Sequence, residues 1–79
     1  MITINDENKK FVKKYIPNAN KILNSDTVRD ALIAISDWLD MNPDCWDGYD
    51  YSDFGRQVQK VYDDILFDNI YANKRNAYN

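Results

Sequence analysis

Apolar residues recur at helical spacing in three stretches of the chain. In the first, Phe11, Val12, Tyr15 and Ile16 form one narrow stripe, and Lys9, Lys10, Lys13 and Lys14 cover the opposite side. Asn5 is a good N-cap, and Asp6 and Glu7 suit the positive end of a helix dipole. Pro17 stops the helix, because the residue before a proline avoids the α region. The pattern predicts a helix from about Asp6 to Ile16. Residues 17–24 read as a short helical turn anchored by Ile22 and Leu23, with Pro17 tolerated at its first position.

The second stretch predicts a helix over 26–41, capped by Ser25 or Asp26 and ended before Pro43. Steps of about 100° place Val28, Ala31, Leu32, Ile35, Trp38 and Leu39 on one broad face. Arg29, Asp30, Ser36, Asp37 and Asp40 occupy the other, and Ile33 stands among them, where an interface residue would. Asn42-Pro43 and Gly48 mark residues 42–52 as a loop. Ser52 then caps a third helix reaching about Ala72, with Phe54, Val58, Val61, Tyr62 and Ile65 inside, Leu66 on the flank, and Arg56, Lys60, Asp63 and Asp64 outside.

Beyond Asp64 the pattern changes. Leu66, Phe67, Ile70 and Tyr71 spread apolar surface around the helix, which calls for cover on two sides. The expected cover is the first helix, through Phe11 and Tyr15. Residues 72–79 read as a frayed tail. Met1 to Ile4 alternates weakly and is too short to count as a strand. The fold class expected is all-α, a single domain over 1–79. It is a small antiparallel bundle of three main helices plus one short helical turn, with its core at Val28, Leu32, Ile35, Leu39, Val58, Val61 and Ile65.

Composition agrees with a folded domain. Leu, Ile, Val and Phe make up near a quarter of the 79 residues, above the level of a disordered chain, and the net charge is only -3. No apolar run approaches the length of a bilayer span, and the first residues lack the layout of a secretion signal. Cys45 is the one cysteine and has no internal partner for a disulfide, so a cytoplasmic setting is expected. Asn, Ile, Lys and Tyr, all with AT-rich codons, are abundant. In size, acidity and composition the chain resembles, in general terms, accessory proteins of phages and mobile elements from low-GC bacteria. That resemblance rests on no motif.

Charge is unevenly placed along the chain. Residues 1–24 hold five lysines against two acids, whereas residues 25–55 hold one arginine against eight aspartates. Within that acidic middle, Asp44, Asp47, Asp50 and Asp53 alternate with Trp46, Tyr49, Tyr51 and Phe54. Solvated loops do not need so many aromatics, and buried segments do not tolerate so many carboxylates. A surface that meets a partner accommodates both.

Other chemistries fit less well. An EF-hand reading with Gly48 at the sixth position puts Pro43, Cys45 and Phe54 at the first, third and twelfth, so three key ligands are missing and no metal is expected. There is no histidine, no glycine-rich phosphate loop, and the aspartates to either side of Cys45 would raise its pKa. No catalytic residue and no cofactor are therefore expected. Lys9, Lys10, Lys13 and Lys14 are the candidate contacts if nucleic acid is the ligand, but the aromatics lie among aspartates, which repel a phosphate backbone.

The sequence thus points to a small acidic protein–protein interaction module, such as an adaptor, an inhibitor or an immunity-type protein. Asp44, Trp46, Asp47, Tyr49, Asp50 and Tyr51 would meet a basic partner surface, with Ile33, Asp37 and Asp40 as an adjoining face. The rings would supply most of the affinity and the aspartates the rate of association. The alternatives are a nucleic-acid accessory protein using the lysine face, and a structural homodimer joined by Phe67, Ile70 and Tyr71. A monomer or weak homodimer is expected, without membrane contact.

Overall fold

The computed structural model describes residues 2–71, the side chain of Tyr71 excepted. It is predominantly helical: α1 spans Asp6–Tyr15, α2 Ala19–Leu23, α3 Val28–Met41 and α4 Asp53–Leu66. A 3-10 turn over Pro43–Cys45 leads into a two-stranded hairpin, β1 (Trp46–Asp47) and β2 (Asp50–Tyr51), and a π-helical turn over Phe67–Tyr71 follows α4. The architecture is therefore four helices and a small sheet: α2 falls within the short helical turn expected at 17–24, and the hairpin corrects the expectation of an all-α bundle with a plain loop at 42–52. Strands of two residues are too short to show alternation in the sequence. The expected frayed tail over 72–79 lies outside the described residues.

Local chemistry explains the helix ends. The side chain of Asn5 accepts from the Asn8 amide, that of Ser52 from the Gly55 amide, and Ile16 takes the extended backbone that Pro17 favours. The cap of α3 is Thr27, whose hydroxyl accepts from the Asp30 amide at 3.1 Å. Neither Ser25 nor Asp26 fills that place. Ser25 is buried and donates its hydroxyl to the Lys21 carbonyl at 2.8 Å, closing α2 instead.

The core lies where α3 meets α4, with α2 packed on α3. Leu32, Ile35, Leu39, Val58, Val61 and Ile65 are buried as the helical phases require, whereas Val28 is only half-buried at the edge. The core is wider than those residues. Ile4, Val12, Ile16, Ile22, Ala31 and Cys45 belong to it as well. Burying an Ile or Val side chain contributes about 1.5–3 kcal/mol, so these additions matter in a domain this small.

Helix α1 runs antiparallel to α4. Near its start, the side-chain amide of Asn8 donates to the Asp64 carboxylate at 3.0 Å. Near its end, Phe11 and Tyr15 pack on Phe54, with ring centroids 5.9 and 5.1 Å away, and Trp38 of α3 closes the cluster at 6.0 Å. The aromatics of α1 thus cover the first turn of α4, not its far half as expected, because antiparallel packing carries them to the opposite end. Beyond Asp64 the cover comes from the extended residues before α1. Ile2 and Ile4 pack on the core, and Thr3 pairs through its backbone with the Asn69 side chain, which accepts at 2.6 Å and donates at 2.7 Å. Asp64, placed outside by the helical phase, is turned toward α1 by its contact with Asn8.

Candidate functional site

The hairpin sorts the acidic-aromatic segment into two faces. Trp46 pairs across the strands with Tyr51, and Asp47 with Asp50. Residues directly opposite each other project from the same side of an antiparallel pair, and neighbours along a strand project from opposite sides. Trp46 and Tyr51 therefore share the inner side, with ring centroids 4.7 Å apart. Asp47 and Asp50 share the outer side, and both are exposed.

The inner side is bonded into the domain. The Trp46 indole donates to the Leu39 carbonyl of α3 at 3.0 Å, and the Tyr51 hydroxyl reaches Gln59 of α4 at 3.3 Å. Both rings are half-buried. The base of the hairpin is closed by Ser52, whose amide donates to the Cys45 carbonyl at 2.9 Å and whose hydroxyl donates to the Asp44 carbonyl at 2.6 Å.

The tip is a two-residue turn, Gly48-Tyr49. Gly48 has φ of 67°, and no non-glycine residue among those described has positive φ. Glycine first with a negative φ second is the pattern of a type II′ turn, which matches the twist of a hairpin. Tyr49 consequently stands fully in solvent, at 103% relative exposure. Asp44 and Asp53 are exposed too, so the solvent side of this end carries one ring and a cluster of carboxylates.

The other sequence-derived residues lie in separate places. Ile33 is 47% exposed. With Asp37 it borders two open grooves, of about 410 Å³ on the α2 side of α3 and about 350 Å³ between α3 and α4. Asp40 is exposed on the same helix. Among the described residues, neither Ile33 nor Asp37 forms a side-chain hydrogen bond with the hairpin. Lys9, Lys10, Lys13 and Lys14 are all exposed. Lys10 and Lys14 flank a third groove, of about 390 Å³, between α1 and α4. The Lys14 ammonium lies 5.1 Å from the centroid of the Tyr15 ring. Of the residues expected to join two copies, Phe67 is 44% exposed, Ile70 is half-buried, and the Tyr71 side chain lies outside the described residues.

Electrostatics adds two perturbed sites. Burial, and then the Asp44 carboxylate, push the Cys45 thiol above its usual pKa, which disfavours the reactive thiolate. The Asp64 carboxyl is held below the usual range, first by the Asn8 amide and then by Lys60, whose ammonium is 2.9 Å away. Among the described residues no group of His, Cys, Asp and Glu side chains is placed to hold a metal ion. No helix is long and apolar enough to cross a membrane. Compared with protein-family models, with curated proteins and with solved structures, the chain matches none of them.

Proposed function

We propose that the protein is an interaction module that engages a basic protein surface through the tip of its hairpin. Tyr49 is the anchor, and Asp44, Asp47 and Asp50 are the charges that steer the encounter. The observation that carries this reading is the fully exposed Tyr49 ring at the end of a hairpin bonded to both α3 and α4. A tyrosine presents large apolar area at small entropic cost, and a support that already holds it in place reduces the ordering that binding requires. The flanking carboxylates raise the rate of meeting a basic surface. Trp46 and Tyr51 serve as the support, and Ile33, Asp37 and Asp40 form a separate face.

The test compares proteins captured by the tagged chain with those captured by Tyr49→Ala and by Asp47→Lys. A basic partner lost from both variants, yet retained by a Lys9→Ala, Lys13→Ala control, supports the reading. Equal capture by all of them refutes it. A reducing cytoplasm is the proposed setting, consistent with a buried, unpaired Cys45. An origin in a phage or mobile element of a low-GC bacterium is proposed on composition alone.

A second reading, contact with nucleic acid through Lys9, Lys10, Lys13 and Lys14, has the exposure of all four in its favour. A salt-dependent gel shift abolished by Lys9→Ala with Lys13→Ala would select it over the first.

A further inference from the structure

We propose that the groove between α1 and α4 receives the acidic hairpin of a second copy of this chain. The proposal rests on the hairpin reading above and names the partner. The groove has an apolar floor of Phe11, Tyr15 and Val61 and a rim of Lys10, Lys14 and Lys60. Glu7 and Asp64, the latter paired with Lys60, are the acids beside it, so Lys10 and Lys14 remain as the cationic edge.

The same molecule displays the complement. Tyr49 stands fully in solvent and is flanked by the opposed pair Asp47 and Asp50. An aromatic ring would enter the apolar floor while each neighbouring carboxylate meets an ammonium on the rim. The groove, at about 390 Å³, has room for one ring and the groups beside it. Asp47 and Asp50 facing each other in one strand pair is a locally unfavourable arrangement, since like charges directly opposite repel. Docking on two ammonium groups relieves that repulsion. A knuckle entering one groove buries less than the roughly 1,200 Å² of a standard interface. The association is therefore weak, reversible and steeply salt-dependent.

Sedimentation velocity across a concentration series, at low and high ionic strength, tests this. The wild-type mass should rise with concentration and fall back to the monomer in high salt. Asp47→Lys with Asp50→Lys should abolish association, as should Lys10→Glu with Lys14→Glu. All four changes in one chain exchange the charges and should restore it. Because all four side chains are exposed, the fold should survive, and circular dichroism verifies that for each variant. A second readout is amide NMR on dilution, with shifts confined to the hairpin and the facing sides of α1 and α4.

A wild-type chain that stays monomeric at low salt overturns the proposal. So does association untouched by either pair of changes, or a folded fourfold variant that stays monomeric. The hairpin reading fails separately, when the capture comparison shows no dependence on Tyr49 or Asp47.

Discussion

Gly55, in the first turn of α4, lies flush against the backbone of Cys45, where a Cβ would sit 1.9 Å from the carbonyl oxygen and 2.8 Å from the carbonyl carbon. That same oxygen accepts the Ser52 amide at 2.9 Å. The start of α4 and the turn before the hairpin therefore share one close backbone contact. A side chain at position 55 would push the hairpin away from its base.

Gly55→Ala should destabilise the domain by about 1–3 kcal/mol, the usual cost of overpacking against atoms that cannot turn aside. Ordinary helix propensity predicts the opposite, a gain of about 1 kcal/mol. Gly48→Ala provides the contrast. Its Cβ would meet nothing within 4 Å, and the cost comes from φ alone. The expected loss there is about 1–2 kcal/mol, and Gly48→Asn should recover little of it, because the first position of a type II′ turn lies outside the left-handed helical region that asparagine tolerates. Chemical denaturation of the three variants measures all of this.

Trp46 and Tyr49 should separate support from contact. Trp46→Ala removes the hydrogen bond to Leu39 and the ring contact with Tyr51, and should cost about 1–3 kcal/mol of stability. Tyr49→Ala touches a side chain wholly in solvent and should leave stability within about 0.5 kcal/mol while weakening binding. Thermal unfolding beside a binding isotherm distinguishes them. A Tyr49 variant that unfolds early would assign that ring a structural role.

Asn69 acts as a substitute strand for Thr3. Its amide accepts from the Thr3 N–H and donates to both the Thr3 and Ile65 carbonyls. Asn69→Ala should cost about 1–2 kcal/mol and expose the Thr3 amide to hydrogen exchange. Asn69→Asp should be no better, because a carboxylate would face two carbonyl oxygens without a proton to donate. Exchange rates at Thr3, read by NMR, report the loss directly.

Acid should weaken the domain in part through Asp64. Its folded pKa is lowered, first by Asn8 and then by Lys60, against the opposing effect of burial. A carboxylate of that kind contributes stability above its unfolded pKa and loses it as pH falls through the folded one. Asp64→Asn should flatten that part of the stability profile below the ordinary carboxylate range. Asn8→Ala should move the Asp64 titration upward, since Asn8 is the leading cause. Carboxyl NMR during titration measures both.

Helix positions were legible because their signals are local. Asn5, Ser52, Pro17 and Pro43 act on the backbone within a few residues, and the apolar phase of α3 and α4 names most of the core. Two signals were legible but misplaced. Three consecutive cap-forming residues, Ser25, Asp26 and Thr27, precede α3, and only the packing of α2, which draws the Ser25 hydroxyl to Lys21, leaves the cap to Thr27. The acidic-aromatic segment was visible as a surface of interest, but the strand register decided that its rings at 46 and 51 turn inward and its carboxylates outward. The burial of Ile4 was not legible. A few extended residues have no periodicity of their own, and Thr3 gains its backbone partners from Asn69, sixty-six positions away. Caps, proline stops and helical phase are written in neighbouring residues, which is why a helical protein with an acidic-aromatic segment could be read from them. Register, antiparallel pairing and the clamp on the N-terminal residues depend on groups distant along the chain, and they are set only when folding brings those groups together.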